Sequence, residues 1–166
     1  MKKNQKITKN KPLVIIVTFT TVAAAILLLY PAKRIQAPTA IPSLQTYHAT
    51  GVMNFTMNLP NQYIVEDKWT NLLLKKEKDE IVVGRAGAFY TDLKKQLSDP
   101  KVNILARMTE TNFSTIDGHQ AISGYLEGEK KYYIMVGDAY YYFSTSSPSL
   151  YSDLDQIAQS FRYTGK

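Results

Sequence analysis

Alternation of apolar and polar residues predicts β-strands along much of the chain. In the stretch MNFTMNLP (residues 53–60) every second residue is apolar and a proline ends the run, which is the pattern of a half-buried strand. The stretch FYTDLKKQLSDP (residues 89–100) has apolar residues four positions apart, and it predicts a short amphipathic helix. Further strands are predicted at Tyr63–Glu66, Leu72–Lys76, Ile81–Gly84 and Asn103–Thr111.

The stretch HQAISGYLEGEKKYYIMVGDAYYYFST (residues 119–145) predicts three strands joined by two tight turns. The predicted turns are Gly128-Glu129 and Gly137-Asp138, since a glycine in the first place suits a type II′ hairpin. After these strands, SSPSLYSDLDQIAQSF (residues 146–161) has apolar residues at helical spacing. We expect Ser147 to cap this helix and Pro148 to be its first residue.

The turn at Gly137-Asp138 assigns the aromatic side chains to the two faces of the sheet. Because side chains alternate along a strand, Tyr141 and Phe143 share one face, and Tyr140 and Tyr142 share the other. Both faces are therefore rich in apolar groups, whereas a sheet with one solvated face alternates apolar with polar residues. We expect an α+β fold in which an antiparallel β-sheet is flanked by helices, as an α/β/α sandwich.

The turn at Gly128-Glu129 sets a second expectation. It places Gly124 opposite Tyr133, where the missing side chain leaves room for the tyrosine ring. Most of these tyrosines are accordingly predicted to be core residues whose hydroxyls find partners at the edge of the core.

Residues 13–30, LVIIVTFTTVAAAILLLY, form an uncharged run of 18 residues. As a helix this run is about 27 Å long, close to the roughly 30 Å of a bilayer core, and it predicts a transmembrane anchor. Five lysines precede the run and only Lys33 and Arg34 closely follow it, which predicts a cytoplasmic N-terminus in a single-pass cell-membrane protein. A cleaved signal peptide is the alternative, although YPAKR (residues 30–34) lacks a good pair of small residues for cleavage.

These features divide the chain into four parts. Residues 1–12 are a basic cytoplasmic tail, 13–30 the membrane anchor, 31–46 a proline-rich linker, and 47–166 an extracytoplasmic domain. The formal net charge is +6, but from residue 31 onward 15 basic residues face 14 acidic ones. The basic character thus belongs to the tail, and nucleic acid is not a predicted partner.

The chemistry of the chain favours no catalytic or metal site. The absence of cysteine excludes disulfides, thiol nucleophiles and thiolate-bound zinc. His48 and His119 have no ligand spacing, and we predict neither a metal nor a cofactor. Ser98-Asp99-Pro100-Lys101 matches the S-x-x-K pattern of serine β-lactamases, but proline breaks the helix that this mechanism needs.

Asp153 and Asp155 are two positions apart on the last predicted helix and point to different faces. They are therefore not expected to act as a general acid–base pair, and we predict that the protein is not an enzyme.

Three segments resemble the PsbP-like family, which includes photosystem II extrinsic proteins and bacterial PsbP-related proteins. They are NFTMNLPNQY (residues 54–63), TIDGHQAISGY (115–125) and YYYFSTSSPSLYSDLDQIAQSFRY (140–163). The resemblance implies an antiparallel sheet between helices over roughly residues 47–163. It carries over no ion-binding or photosystem-contacting residue, and the membrane anchor departs from the family's transit peptide.

Two functions follow as hypotheses. One is a non-catalytic, membrane-tethered binding or assembly module that contacts a protein partner. The other is a binder of a small molecule or envelope polymer that uses exposed tyrosines. Tyr140, Tyr142 and Tyr151 are the predicted ligand or partner surface in either case. A flat apolar patch favours the first function, and a concave aromatic cluster favours the second.

Overall fold

The computed structural model describes residues 43–165, which form two antiparallel sheets. The smaller sheet has the order β1-β2-β10, with β1 at Leu44–Ala49, β2 at Phe55–Pro60 and β10 at Arg162–Tyr163. The larger sheet has seven strands in the order β3-β4-β5-β9-β8-β7-β6. Its strands are β3 (Ile64–Asp67), β4 (Asn71–Lys76), β5 (Asp79–Gly87), β6 (Thr109–Ile116), β7 (His119–Leu126), β8 (Glu129–Val136) and β9 (Ala139–Thr145).

Two short helices accompany the sheets. Helix α1 spans Leu93–Ser98 and packs against β7 and β8, and helix α2 spans Tyr151–Gln159 and packs against β2 and β9. The α1 helix begins at Leu93 and not at Phe89, because the Asp92 carboxylate caps it by accepting from the backbone N–H of Lys95 at 2.7 Å. The predicted strand at Asn103–Thr111 is also corrected, since Leu105–Arg107 is a 3₁₀ turn and β6 starts at Thr109.

The predicted hairpin at Gly137-Asp138 is confirmed, since Val136 pairs with Ala139. The other predicted turn is displaced by one residue, because Leu126 pairs with Glu129 and the turn is Glu127-Gly128. Both turn residues have positive φ, 55° and 83°, as a type I′ turn requires. The pairing shifts by two positions, so each residue keeps its predicted face.

Gly124 consequently does not make room for Tyr133. It lies opposite Lys131, and a Cβ at this position would meet the backbone oxygen of Thr109 at 2.7 Å. A register irregularity in β6 between Thr109 and Asn112, with Glu110 at φ 51°, is the β-bulge that brings these backbones together. Gly124 thus serves close strand packing.

Apolar cores lie on both faces of the larger sheet, as the two-sided pattern predicts. The first face carries Tyr141 and Phe143, which pack with Phe55 of β2, Phe161 and the buried residues of α2. The second face carries a smaller cluster formed by α1, by residues of β7 and β8 that face α1, and by Met108 just before β6. Its members are Leu93, Leu97, Met108, Ile122, Leu126, Tyr133 and Met135. The fold is therefore mostly antiparallel sheet with one short helix on each side.

The two aspartates of α2 bind the larger sheet at separate points. Asp153 accepts from the Tyr63 hydroxyl at 2.7 Å and from Lys76 Nζ at 2.9 Å. Asp155 binds Tyr132 and Lys130 in the same way, each at 2.7 Å. Each carboxylate is thus occupied by one lysine and one tyrosine, which agrees with the prediction that they are no acid–base pair.

The start of α2 differs from the expected cap. Pro148–Leu150 form a 3₁₀ turn ahead of the helix, and Ser147 makes no capping bond. Its hydroxyl instead donates to the Asp79 carboxylate at 2.9 Å, so this serine ties the end of β9 to the start of β5.

The predicted transmembrane segment, residues 13–30, lies outside the described residues. Among residues 43–165, no helix has the length and apolar character needed to cross a membrane. Strand β1 begins at Leu44, inside the range predicted as linker.

Candidate functional site

The tyrosines of β8 and β9 divide between core and surface. Tyr141 is 1% exposed, and its hydroxyl donates to the backbone oxygen of Met53 at 2.6 Å. Its ring centroid lies 5.5 Å from that of Phe55 and 5.1 Å from that of Phe161. These contacts confirm that the first-face aromatics are core residues.

On the second face α1 packs against β7 and β8, and Tyr140 and Tyr142 of β9 pack against the border of the α1 cluster. Beyond that helix, side chains of β3, β4, β5 and β9 reach the surface among the described residues. We call this region the open sheet face; its members are Ile64, Glu66, Leu73, Lys75, Val82, Tyr140 and Tyr142. Ile64 is 70% exposed, and the other six are half-buried.

Strand pairing sets the order of side chains across the open sheet face. Glu66 pairs with Leu73, Leu73 with Val82, and Val82 with Ser144, so these residues form one row across four strands. A half-buried leucine and valine therefore lie between a charged edge and a serine. This surface is apolar at its centre and polar at its edge, the arrangement found in protein–protein interfaces.

Tyr142 lies flat against the sheet because β5 has a glycine beneath it. A Cβ on Gly84 would meet Tyr142 Cζ at 2.2 Å, and the Tyr142 hydroxyl donates to Asn71 Oδ1 at 3.0 Å. The ring thus covers the backbone of β5 and reaches β4. Glycine inside a strand commonly marks such a close approach.

Tyr140 lies beside Tyr142 on the same face. Burial raises the pKa of its hydroxyl, and the neighbouring Tyr142 adds to the rise. The Tyr140 ring is also 6.1 Å from the ring of Tyr133, whose pKa burial raises to about 12. Both hydroxyls are therefore neutral at physiological pH and act as hydrogen-bonding groups, not as charges.

The charged edge of the open sheet face is internally paired. Glu66 accepts from Lys75 Nζ at 2.6 Å and lies 3.3 Å from Lys68 Nζ. Hydrogen bonds from these two lysines hold the pKa of Glu66 below its usual value. The edge thus carries one carboxylate between two ammonium groups.

Trp69 extends this edge at the tip of the β3–β4 hairpin. It is 78% exposed, with a φ of 68°. Its backbone N–H donates to Asp67 Oδ1 at 2.8 Å, which holds the turn. Tryptophan is one of the residue types enriched among binding hot spots, so the exposed Trp69 ring is a candidate contact for a partner.

The structure does not bring Tyr151 to this surface. Tyr151 is the first residue of α2, on the opposite side of the sheet from Tyr140 and Tyr142. Its ring contacts Tyr125 at 5.6 Å and lies 5.5 Å from Lys130 Nζ. The three predicted tyrosines therefore form one pair and one separate residue, and whether any of them binds a ligand stays a prediction.

Sequence reasoning missed that Leu73, Val82 and Ile64 belong to one surface, with Trp69 at its edge. The run NLLLKK (residues 71–76) held a signal, because three consecutive leucines in a strand put apolar side chains on both faces. These residues lie on the same face as Tyr142 because β5 pairs with β9, and these two strands are distant in sequence.

No cluster of potential metal ligands appears within residues 43–165. His48 is on β1 of the smaller sheet, and His119 on β7 packs edge-on against Tyr163 at 6.2 Å. No group of three or more potential ligand residues comes together in this part of the chain. Ser98 ends α1 before Pro100, so the S-x-x-K stretch does not have the helical geometry that its mechanism needs.

Among the twelve chains of solved structures that match this one, two illustrate the likeness, while no family model and no curated protein matches the chain. One is the solution structure of cyanobacterial PsbP (CyanoP) from Synechocystis sp. PCC 6803, with TM-score 0.47 and 16% identity over 76% of this chain and 96% of that one. The other is a crystal structure from Bacteroides thetaiotaomicron VPI-5482, with TM-score 0.50 and 12% identity over 74% of this chain and 49% of that one.

This chain spans about half the length of the Bacteroides protein. A PsbP structure is among the matches, as the sequence motifs predict, and at these identities the likeness concerns the fold alone.

Proposed function

We propose that this chain is a non-catalytic binding or assembly module that contacts a protein partner through the open sheet face. The observation that carries the proposal is the uncovered half of the second face, where half-buried Leu73 and Val82 lie between paired charges and a flat-lying Tyr142. Exposed apolar groups of this kind, rimmed by polar ones, mark interaction surfaces in soluble domains.

A protein surface fits this face better than a small molecule does. The face is built from neighbouring strands, and Tyr142 lies along the backbone instead of standing out to form the wall of a cleft. The charged groups at its rim, Glu66 with Lys68 and Lys75, can exchange their mutual contacts for those of a partner that also presents both charges. The complementary partner therefore has an apolar patch rimmed by carboxylates and amines.

The second candidate function is binding of an envelope polymer by stacking on tyrosine. The neighbouring side chains of Tyr140 and Tyr142 on one face of β9 favour it, because aromatic side chains stack well against a sugar or other ring. Photo-crosslinking at the open sheet face separates the two functions, because it shows whether the captured molecule is a protein or a polymer.

Photo-crosslinking in native membranes tests the proposal. A photoreactive residue replaces Leu73, and the matched control replaces Gln156, an exposed residue of α2. We expect one discrete, protease-sensitive adduct from position 73 and none from position 156. Ile64→Asp, at an exposed position, should remove that adduct without changing the melting temperature.

Two results would contradict a protein partner. Equal adducts from both positions would show non-specific capture, and a heterogeneous adduct resistant to protease would favour the polymer.

We further propose that residues 13–30 tether this module to the cell membrane, with the N-terminus in the cytoplasm and residues 47–166 outside it. Support comes from the length of the uncharged run and the five lysines before it. A reporter enzyme that is active only after export, fused after Lys166, should be active. Activity of a reporter that works only in the cytoplasm would refute this topology.

A further inference from the structure

The two edges of the larger sheet are protected to very different degrees. Strand β3 has only four residues, and two of them, Glu66 and Asp67, are acidic. Strand β6 has eight residues, and its regular part, Asn112–Ile116, contains no charge and no proline. Exposed edges normally carry charges, proline or a cover against strand addition, so β6 is the unprotected edge.

The outer side of β6 has no strand partner within residues 43–165, since β6 pairs only with β7. In an antiparallel pair, alternate residues direct their N–H and C=O groups away from the neighbour. The β-bulge near Glu110 confines this open edge to Asn112–Ile116. These residues present a short, regular template for one more strand.

A pocket of about 210 Å³ lies beside this edge, between β6, β7 and α1. Phe113 forms one wall and is 54% exposed, and Lys94 Nζ lies 5.6 Å from the centre of its ring. Gln120 Oε1 accepts from the backbone N–H of Leu93 at 2.7 Å. This bond fixes α1 relative to β7, so the pocket exists before anything enters it.

The lysines of α1 indicate which kind of segment fits beside β6. Lys94 and Lys95 are exposed on α1, and in the described part of the chain their ammonium groups lie over aromatic rings, not against carboxylates. Asp92 also lines the pocket, but its carboxylate already accepts from the backbone N–H of Lys95 and from Gln120 Nε2. A second copy of this chain would bring two more lysines and another uncharged strand. A segment with a carboxylate beside its apolar residue is the better complement.

We propose that β6 binds an extended segment of a partner protein by strand addition, with one aliphatic side chain in the pocket and an acidic residue beside Lys94. Main-chain hydrogen bonds to Asn112–Ile116 supply the pairing, and the pocket supplies the selectivity, as in other cases of β-augmentation. An added strand lies about 4.8 Å from β6, which places its alternate side chains next to Phe113. This site is separate from the open sheet face and does not depend on it.

The test uses a displayed library of linear peptides selected on the full-length chain. We expect enriched peptides in which an aliphatic residue has an acidic neighbour on the same face of the strand. Lys94→Glu should weaken their binding at least about tenfold, while the control Lys101→Glu, at another exposed lysine, should leave it unchanged. Backbone N-methylation at alternate peptide positions should weaken it similarly, because it removes the paired N–H groups.

Amide hydrogen exchange gives a second readout that needs no variant. Bound peptide should slow exchange at Asn112–Ile116 and leave the open sheet face unchanged. The proposal is overturned by a library without enrichment, by binding that ignores Lys94→Glu and N-methylation, or by protection confined to other strands. Concentration-dependent dimerisation with the same protection would instead assign the edge to a second copy.

Discussion

Replacement of Tyr141 should destabilise the protein more than replacement of any neighbouring tyrosine on β9. Tyr141 is 1% exposed and its ring packs against Phe55 and Phe161. Tyr141→Ala removes this ring from the centre of the larger core and leaves the Met53 oxygen, now 2.6 Å from the hydroxyl, without its donor. A buried large aromatic replaced by alanine costs about 3–5 kcal/mol, and we expect about 4 kcal/mol here.

Tyr141→Phe separates the two contributions. It keeps the ring and removes only the hydrogen bond to Met53, so it should cost about 1–2 kcal/mol. Tyr142→Ala and Tyr140→Ala, at half-buried positions, should each cost less than Tyr141→Ala.

Urea denaturation of the full-length protein in a mild detergent, followed by near-ultraviolet circular dichroism of the tyrosines, measures these differences. A stable Tyr141→Ala together with an unfolded Tyr140→Ala would refute the register of β9. If none of the four variants changed the free energy of unfolding, the assignment of Tyr141 to the core of the first face would be refuted.

Three further predictions concern the contact at Gly84, the pKa values of two tyrosines and the folding of a shorter fragment. Gly84→Ala should displace the Tyr142 ring and cost about 1–2 kcal/mol. In a double-mutant cycle this cost should fall when Tyr142 is already alanine, because only the contact of the new Cβ with Asn71 Oδ1 at 2.6 Å remains. Burial, aided by a hydrogen bond to Asp155, raises the pKa of Tyr132 to about 12, and burial raises that of Tyr133 to about 12. Since unfolded tyrosine ionises near pH 10, the contribution of these two hydroxyls to the free energy of unfolding is complete below about pH 10 and is lost towards about pH 12. Tyr132→Phe and Tyr133→Phe should reduce this loss when melting temperatures are measured at alkaline pH. An unchanged dependence of the melting temperature on pH would contradict the prediction. A fragment starting at residue 42 should fold cooperatively without reductant, and a chelator should not change its melting temperature; a metal-dependent melt would contradict the absence of a predicted metal site.

Local pattern predicted the parts of the fold that local pairing determines. The tight turn at Gly137-Asp138 fixes which side chains of β8 and β9 share a face, so Tyr141 and Phe143 could be assigned to the core. The two-residue strand β10 has no periodicity that a sequence pattern could detect. The type I′ turn at Glu127-Gly128 was misplaced by one residue because both neighbours of Gly128 are glutamates, and either glutamate completes a plausible two-residue turn.

The candidate site was predictable only in part, for the same physical reason. Tyr140 and Tyr142 could be placed together because they alternate on one strand. Tyr151 could not be placed, since its position follows from how α2 packs against the sheet. The glycine beneath Tyr142 is Gly84 of β5, which is far from Tyr142 in sequence. Only the pairing of β5 with β9 in three dimensions shows why a glycine is needed at this position.

The pairing of β2 with β10 constrains when this domain can fold. Phe55 packs against Phe161, and Thr56 pairs with Arg162, so residues near the two ends of the described region complete the same core. During synthesis, the pairing of β2 with β10 and the packing of Phe55 against Phe161 can form only after residues 161–163 have left the ribosome, and contacts of such long range slow folding. The core is therefore completed late in synthesis, and until then chaperones can bind the apolar residues of the incomplete chain.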